Sequence, residues 1–126
     1  MTKTAFLFAG QGAQYLGMGR ELYDQYAIVK ETIDQASQVL GYDLRDLIDN
    51  DETKLNQTRY TQPAILATSV AIYRLLKEKG YQPDMVAGLS LGEYSALVAS
   101  GALNFEDAVA LVAKRGAYME AAAPAG

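Results

Sequence analysis

The 126-residue chain contains no cysteine and no histidine. Without cysteine there can be no disulfide, no thiolate nucleophile and no zinc–sulfur site, and a reducing compartment is expected. Without histidine the commonest general base is missing, and a metal would have to be held by oxygen ligands alone. No spacing of Asp or Glu suggests such a site. Basic runs and Lys/Arg stripes are also absent, and the net charge is -4 with a pI near 4.7. Nucleic acid and anionic membrane surfaces are therefore excluded as expected partners. The apolar run after Met1-Thr2-Lys3-Thr4 is too short for a signal peptide or a membrane span, so the protein is expected to be cytoplasmic. Apolar residues make up 50% of the chain. A domain of this size buries about two-thirds of the surface of its unfolded chain.

The apolar run Ala5–Ala9 ends in Gly10-Gln11-Gly12 and reads as a strand buried on both faces, as in a parallel sheet. Leu22, Tyr26, Val29, Ile33, Ala36 and Leu40 form one helical stripe stopped by Gly41. One or two short helices are expected around Leu44 to Ile48. In TQPAILATSVAIYRLLKEKG, Thr61 is placed to cap, Pro63 to sit in the first turn and Gly80 to stop a helix buried on most sides. Met85-Val86-Ala87 reads as a second strand, and a helix follows from Leu91 to about Ser100, stopped by Gly101. Asn104 caps a last helix from Phe105 to about Ala122. The order predicts an α/β fold with a parallel sheet. Two strands are too few for such a sheet, which has about five, so the chain is expected to be the first part of a longer protein.

Gly88-Leu89-Ser90-Leu91-Gly92 is a G-x-S-x-G pentapeptide between a strand and a helix, the setting of a nucleophile elbow. The two glycines would let strand and helix approach, and the Leu91 amide would lie at the helix N-terminus, where partial positive charge favours an oxyanion. The bland alternative makes Ser90 a helix cap and the glycines turn residues. The glycine-rich loop FAGQGAQYLGMG lacks the Lys-Ser/Thr of a P-loop and the third glycine of G-x-G-x-x-G. It reads either as a plain turn or as a loop whose Gln11 amide is a second oxyanion donor. Arg115 falls among Ala108, Leu111, Val112, Tyr118 and Met119 on the apolar face of the last helix. A cation there must reach solvent, pair with an internal carboxylate, or bind a substrate carboxylate as a fixed fork. Lys114 lies off that face. Gln62, held extended before Pro63, is a weaker candidate for the same site.

FLFAGQGAQYLGMG, TQPAILATSVAIYRLL, GLSLGEYSAL and DAVALVAKRGAYM occur in this order and span nearly the whole chain. Together they resemble the malonyl-CoA:acyl carrier protein transacylases of bacterial fatty acid synthesis, with the acyltransferase domains of polyketide and animal fatty acid synthases as more distant relatives. The resemblance implies that Ser90 carries malonyl as an ester, that Gln11 and Leu91 donate backbone amides to the oxyanion, that Arg115 grips the malonyl carboxylate, and that Gln62 lines the site. Malonyl-CoA and acyl carrier protein are the implied partners. No metal or redox cofactor is implied, and the parent enzyme is expected to be a monomer. The implied fold is the first segment of an α/β-hydrolase-like large subdomain, with residues 1–126 forming its N-terminal part. A small ferredoxin-like subdomain and the C-terminal half, with the catalytic histidine about a hundred residues after the serine, would lie outside this chain.

Two departures stand out. Position 89 is often histidine in the family and is leucine here, and the general base is missing. The 126 residues alone are thus expected to turn over little and to self-associate through unpaired strand edges. Two competing readings remain: a serine hydrolase of acyl thioesters, and a truncated, non-enzymatic module that binds acyl-CoA or carrier protein.

Overall fold

The computed structural model describes residues 4–88 and 90–123. Its elements run β1 (Ala5–Phe8), α1 (Arg20–Gln25), α2 (Ala27–Leu40), α3 (Leu44–Asn50), α4 (Glu52–Leu55), α5 (Thr58–Glu78), β2 (Met85–Gly88), α6 (Leu91–Ala99) and α7 (Phe105–Ala122). β1 and β2 pair in parallel, with Ala5 opposite Met85 and Phe8 opposite Gly88. The predicted α/β class holds, as a small parallel sheet with most of the residues in helices. Leu89 and the terminal Pro124 to Gly126 lie outside the described residues, so the departure noted at position 89 has no structural account.

The core is helical. Ile33 and Ala36 of α2, Leu44 and Ile48 of α3, Leu66, Ala67 and Val70 of α5, and Val109 and Val112 of α7 are buried together around α5. α5 packs against α2, α4, α6 and α7, and α6 packs on both strands. Burying apolar surface at ~25 cal/mol per Å² makes this helical layer the main source of cohesion.

The expected stop signals are present. Gly80 (φ 94°) and Gly101 (φ 83°) adopt the left-handed conformation after α5 and α6. In each case the next two amides turn back to the helix: Gly80 to Lys77 and Tyr81 to Leu76, then Gly101 to Val98 and Ala102 to Leu97. These paired bonds satisfy carbonyls that a helix end leaves open. Asn104 caps α7, its side chain accepting from the Glu106 and Asp107 amides.

Four expectations need correction. The stripe from Leu22 to Leu40 is two helices, because Tyr26 is extended (φ -124°, ψ 120°). Nothing in its hydropathy marks the break. There the Tyr23 ring lies 5.3 to 5.6 Å from the Arg20, Lys30 and Arg45 cations, filling the corner between α1, α2 and α3.

Thr61 does not cap α5, which starts at Thr58. The Thr61 hydroxyl instead donates back to the Leu55 and Gln57 carbonyls. Pro63 therefore sits beyond the first turn and forfeits one internal hydrogen bond, and Gln62 before it is helical rather than extended.

β1 is not buried on both faces. Phe6 and Phe8 pack on Tyr73 of α5, with ring centroids 6.1 and 6.2 Å away, while Leu7 on the opposite face is 82% exposed. Among the described residues no element covers that face.

Finally, the buried stripe of α7 is Phe105, Ala108, Val109, Val112 and Gly116, whereas Leu111, Tyr118 and Met119 are exposed. The helix turns so that glycine, not a large side chain, faces α5.

Candidate active site

Gly88 closes β2 and Leu91 opens α6, leaving two residues for the turn. Ser90 has φ 57° and ψ -115°, and is the one non-glycine residue with positive φ among those described. Such a conformation costs about 1–3 kcal/mol and persists only where the surroundings enforce it. Two glycines allow that enforcement. A Cβ on Gly88 would overlap the Gly92 carbonyl, and one on Gly92 would overlap the Phe8 carbonyl. Strand and helix therefore meet backbone to backbone, and Ser90 projects from the bend into solvent. Ser90 does occupy the N-cap position of α6, as the bland reading had it, but its side chain makes no capping hydrogen bond.

α7 delivers Arg115 to the same place. Its Nη2 donates to Ser90 Oγ at 3.2 Å and its Nη1 to Gln62 Oε1 at 2.7 Å. The guanidinium also stands 5.5 Å from the centre of the Tyr94 ring, one turn into α6. Among the described residues no carboxylate pairs with Arg115, so the internal ion pair considered from sequence does not form there. Two of its five N–H donors are engaged in these bonds, leaving donors for a planar anion. Arg115 sits at the rim of the α5–α7 interface rather than in the middle of a buried face, which is how a free cation is tolerated.

Gln62 is 1% exposed, and its carboxamide links three elements. It accepts from Arg115, and its Nε2 donates to Gln11 Oε1 (3.3 Å) and contacts Met119 Sδ (3.6 Å). Gln11 in turn donates to Thr58 Oγ1 (3.1 Å). The three side chains named from sequence at this site (Ser90, Arg115 and Gln62) are thus joined in one chain of contacts, which the side chain of Gln11, named only for its backbone amide, extends. Leu91, whose amide was the other candidate, is the first residue of α6 beside Ser90. The loop from Gly10 to Gly19 is tied down at its far end by α3. The Gly17 amide donates to the Ile48 carbonyl, and Arg45, itself held by Asp49, donates to the Met18 carbonyl.

Residues that hydropathy does not reveal bring the helices into register. A Cβ on Gly116 would lie 2.7 Å from Arg59 Cα and 2.8 Å from the Thr58 carbonyl, so only glycine lets α7 approach the start of α5 this closely. One turn on, Glu120 accepts from the Arg59 backbone amide and from Arg59 Nε, both at 2.7 Å. Gln57, the residue before α5, provides no side-chain cap. Glu120 supplies that cap from another helix.

The Glu120 carboxyl is held below the ordinary value, first by the Arg59 amide and then by the guanidinium. A depressed carboxyl contributes stability above its unfolded pKa, and that contribution disappears as pH falls through the folded value. Glu120→Gln is therefore expected to lower stability at neutral pH and to flatten its fall as the pH drops through and below the ordinary carboxylate range. Denaturation midpoints across that range check this; parallel curves for both proteins would contradict it.

Among the described residues no cluster of three or more acidic side chains is placed to hold a metal ion. No helix described is long and apolar enough to cross a membrane.

The acyl transferase domain family matches residues 5–126. The chain is 53% identical to the malonyl CoA-acyl carrier protein transacylase of Bacillus subtilis, aligned over 100% of this chain and 40% of the relative. It superimposes on the crystal structure of MCAT from Streptococcus pneumoniae with a TM-score of 0.95 and 91% identity, over 97% of this chain and 40% of that one. It also matches a malonyl-transacylase solved in complex with its type II PKS acyl-carrier protein, with a TM-score of 0.95 and 49% identity, over 99% of this chain and 41% of that one. The chain thus spans about 40% of the length of the relatives it matches.

Proposed function

We propose, from the premise that this chain belongs to the acyl transferase domain family, that the protein it is part of moves malonyl from malonyl-CoA to the phosphopantetheine thiol of an acyl carrier protein. The observation that carries this reading is Arg115, a guanidinium without a carboxylate partner among the described residues, 3.2 Å from Ser90 Oγ. The names of the relatives and the carrier complex of one of them supply the donor and acceptor. The finer fold reading is the N-terminal segment of an α/β-hydrolase-like large subdomain. The general base is a histidine contributed by polypeptide outside these 126 residues. A cytoplasmic setting, a monomeric parent and a place in fatty acid synthesis complete the proposal. No cofactor enters the reaction.

The proposed chemistry runs in two displacements. Ser90 Oγ loses its proton to the base and attacks the thioester carbonyl. The oxyanion is received by the Gln11 and Leu91 amides, and the coenzyme A sulfur leaves with the proton. The carrier thiol then attacks the Ser90 ester and the proton returns to Oγ. Throughout, the malonyl carboxylate takes the fork of Arg115, displacing the contact with Ser90, while Gln62 and the Tyr94 ring fix the guanidinium plane.

Arg115→Ala in the parent protein is expected to lower kcat/KM for malonyl-CoA by roughly 10²- to 10³-fold. Acetyl-CoA, which lacks the carboxylate, should lose far less as a donor. Equal losses on both donors would show that Arg115 is structural. Counting malonyl released to water against malonyl on the carrier separates transfer from hydrolysis. A parent protein that binds malonyl-CoA without acylating would instead support a binding module.

A further inference from the structure

We infer that Gln14 and Asn56 form a carboxamide relay that holds the Gln11–Gly12 peptide and, by occupying the Gly12 N–H, reserves the Gln11 N–H for a ligand. The inference rests on the reading above that this amide receives the oxyanion. Gln11 lies between two peptide planes, and each is pinned. The plane that carries the Gln11 N–H also carries the Gly10 carbonyl, which accepts from the Ala13 amide at 3.3 Å. The plane that carries the Gln11 carbonyl also carries the Gly12 N–H, which donates to Gln14 Oε1 at 2.8 Å.

The second plane is the vulnerable one. Gly12 has φ 107° and nothing within 4 Å of where a Cβ would stand, so no side chain at this position locks the plane and glycine tolerates the dihedrals a flip would need. Gln14 is the side chain that opposes it. Its own orientation is set in turn, because Nε2 donates to Asn56 Oδ1 at 3.0 Å and Asn56 Nδ2 donates to the Glu52 carbonyl at 3.0 Å. Asn56 ends α4 at the junction with α5. The loop is thereby referenced to the same helix start that carries Thr58 and Gln62, the partners of the Gln11 side chain.

A second consequence concerns the choice of donor. Gln11 and Gly12 present consecutive amides on an exposed loop. By occupying the Gly12 N–H, Gln14 leaves the Gln11 N–H as the one available to a ligand. Gln14 touches no reacting atom; it is a positioning residue.

The test uses the full-length parent protein. Gln14→Leu should lower the rate of Ser90 acylation by malonyl-CoA roughly tenfold, less than deletion of an oxyanion donor, with KM for malonyl-CoA nearly unchanged. Gln14→Glu keeps an acceptor for Gly12 but loses the donor to Asn56, and Asn56→Ala keeps Gln14 but frees it, so each should lie between Gln14→Leu and the original protein. Hydrogen exchange at the Gly12 amide should accelerate in Gln14→Leu and Asn56→Ala. Gln11→Pro, which deletes the amide, should lose at least as much as Gln14→Leu, while Gln11→Ala, which keeps it, should lose less. Full acylation by Gln11→Pro would remove the oxyanion reading itself. Loss in Gln11→Pro alongside undiminished acylation in Gln14→Leu and Asn56→Ala would leave that reading standing and overturn the relay.

Discussion

Ser90→Ala is expected to reduce malonyl transfer by the parent protein about 10⁴-fold or more, and to abolish the covalent malonyl-enzyme. The size follows from the chemistry. On the proposed mechanism no ester can form without Oγ, and what would remain is only the binding proposed for Arg115 and the Gln11 and Leu91 amides. The strained backbone sharpens the expectation. A φ of 57° at a non-glycine residue is tolerated for placement, so alanine keeps the bend and removes the chemistry alone. Mass spectrometry of the parent protein after brief exposure to malonyl-CoA checks the ester. A malonyl adduct persisting in Ser90→Ala would show that another residue is the nucleophile. The 126 residues by themselves contain no histidine, and their own turnover is expected to be very small. Sustained transfer by this stretch alone, lost with Ser90, would place the base inside it.

The second large effect is structural. Gly88→Ala is expected to destabilise the parent protein by about 4 kcal/mol or to prevent folding. A Cβ there would overlap the Gly92 carbonyl and lie 2.8 Å from the Glu93 amide nitrogen. These are backbone atoms of α6, so no rotamer change relieves the clash. Relief requires moving α6 off β2, which also moves Ser90. Gly92→Ala presses in the same way on the Phe8 carbonyl of β1. Gly41→Ala is the control: its φ is 82° but nothing lies within 4 Å of the added carbon, and its cost should be only the ~1 kcal/mol of a left-handed alanine. Thermal unfolding of the three variants gives the ranking. A Gly88→Ala protein melting within a few degrees of the original would mean that the close approach is not needed.

Sequence and structure agree where the signal is local. Glycine stops, the Asn104 cap and the strand–turn–helix around Ser90 depend on residues within one turn of each other, and all are present. The Gln62–Arg115 meeting was visible only as two separate suspicions. Their contact depends on the crossing of α5 and α7, and that crossing is set by Gly116, which hydropathy treats as neutral. The trans cap by Glu120 could not be read at all. An acidic residue in the last turn of a helix normally looks like a solvated side chain, and its partner stands 61 residues away. The break at Tyr26 was hidden for the opposite reason: the stripe continues through it, because Leu22 and Tyr26 rest half-buried against the same core that Val29, Ile33 and Ala36 of α2 enter. β1 looked doubly buried because its composition is suited to a wider sheet than the two strands described here.

The sheet joins the two ends of a long detour. β1 and β2 are neighbours in space, yet all of α1 to α5 lies between them in sequence. Closing such a loop is entropically costly and slow compared with forming helix–helix contacts close in sequence. Helices α2 to α5 are expected to associate first, and the strand pair to close on a layer already built. The bend at Ser90 hangs on that last closure, since Gly92 must reach Phe8 across both strands. The strained serine is then expected to be the last feature to form in folding and the first to relax in partial opening, so that its bend exists only in molecules whose sheet is shut.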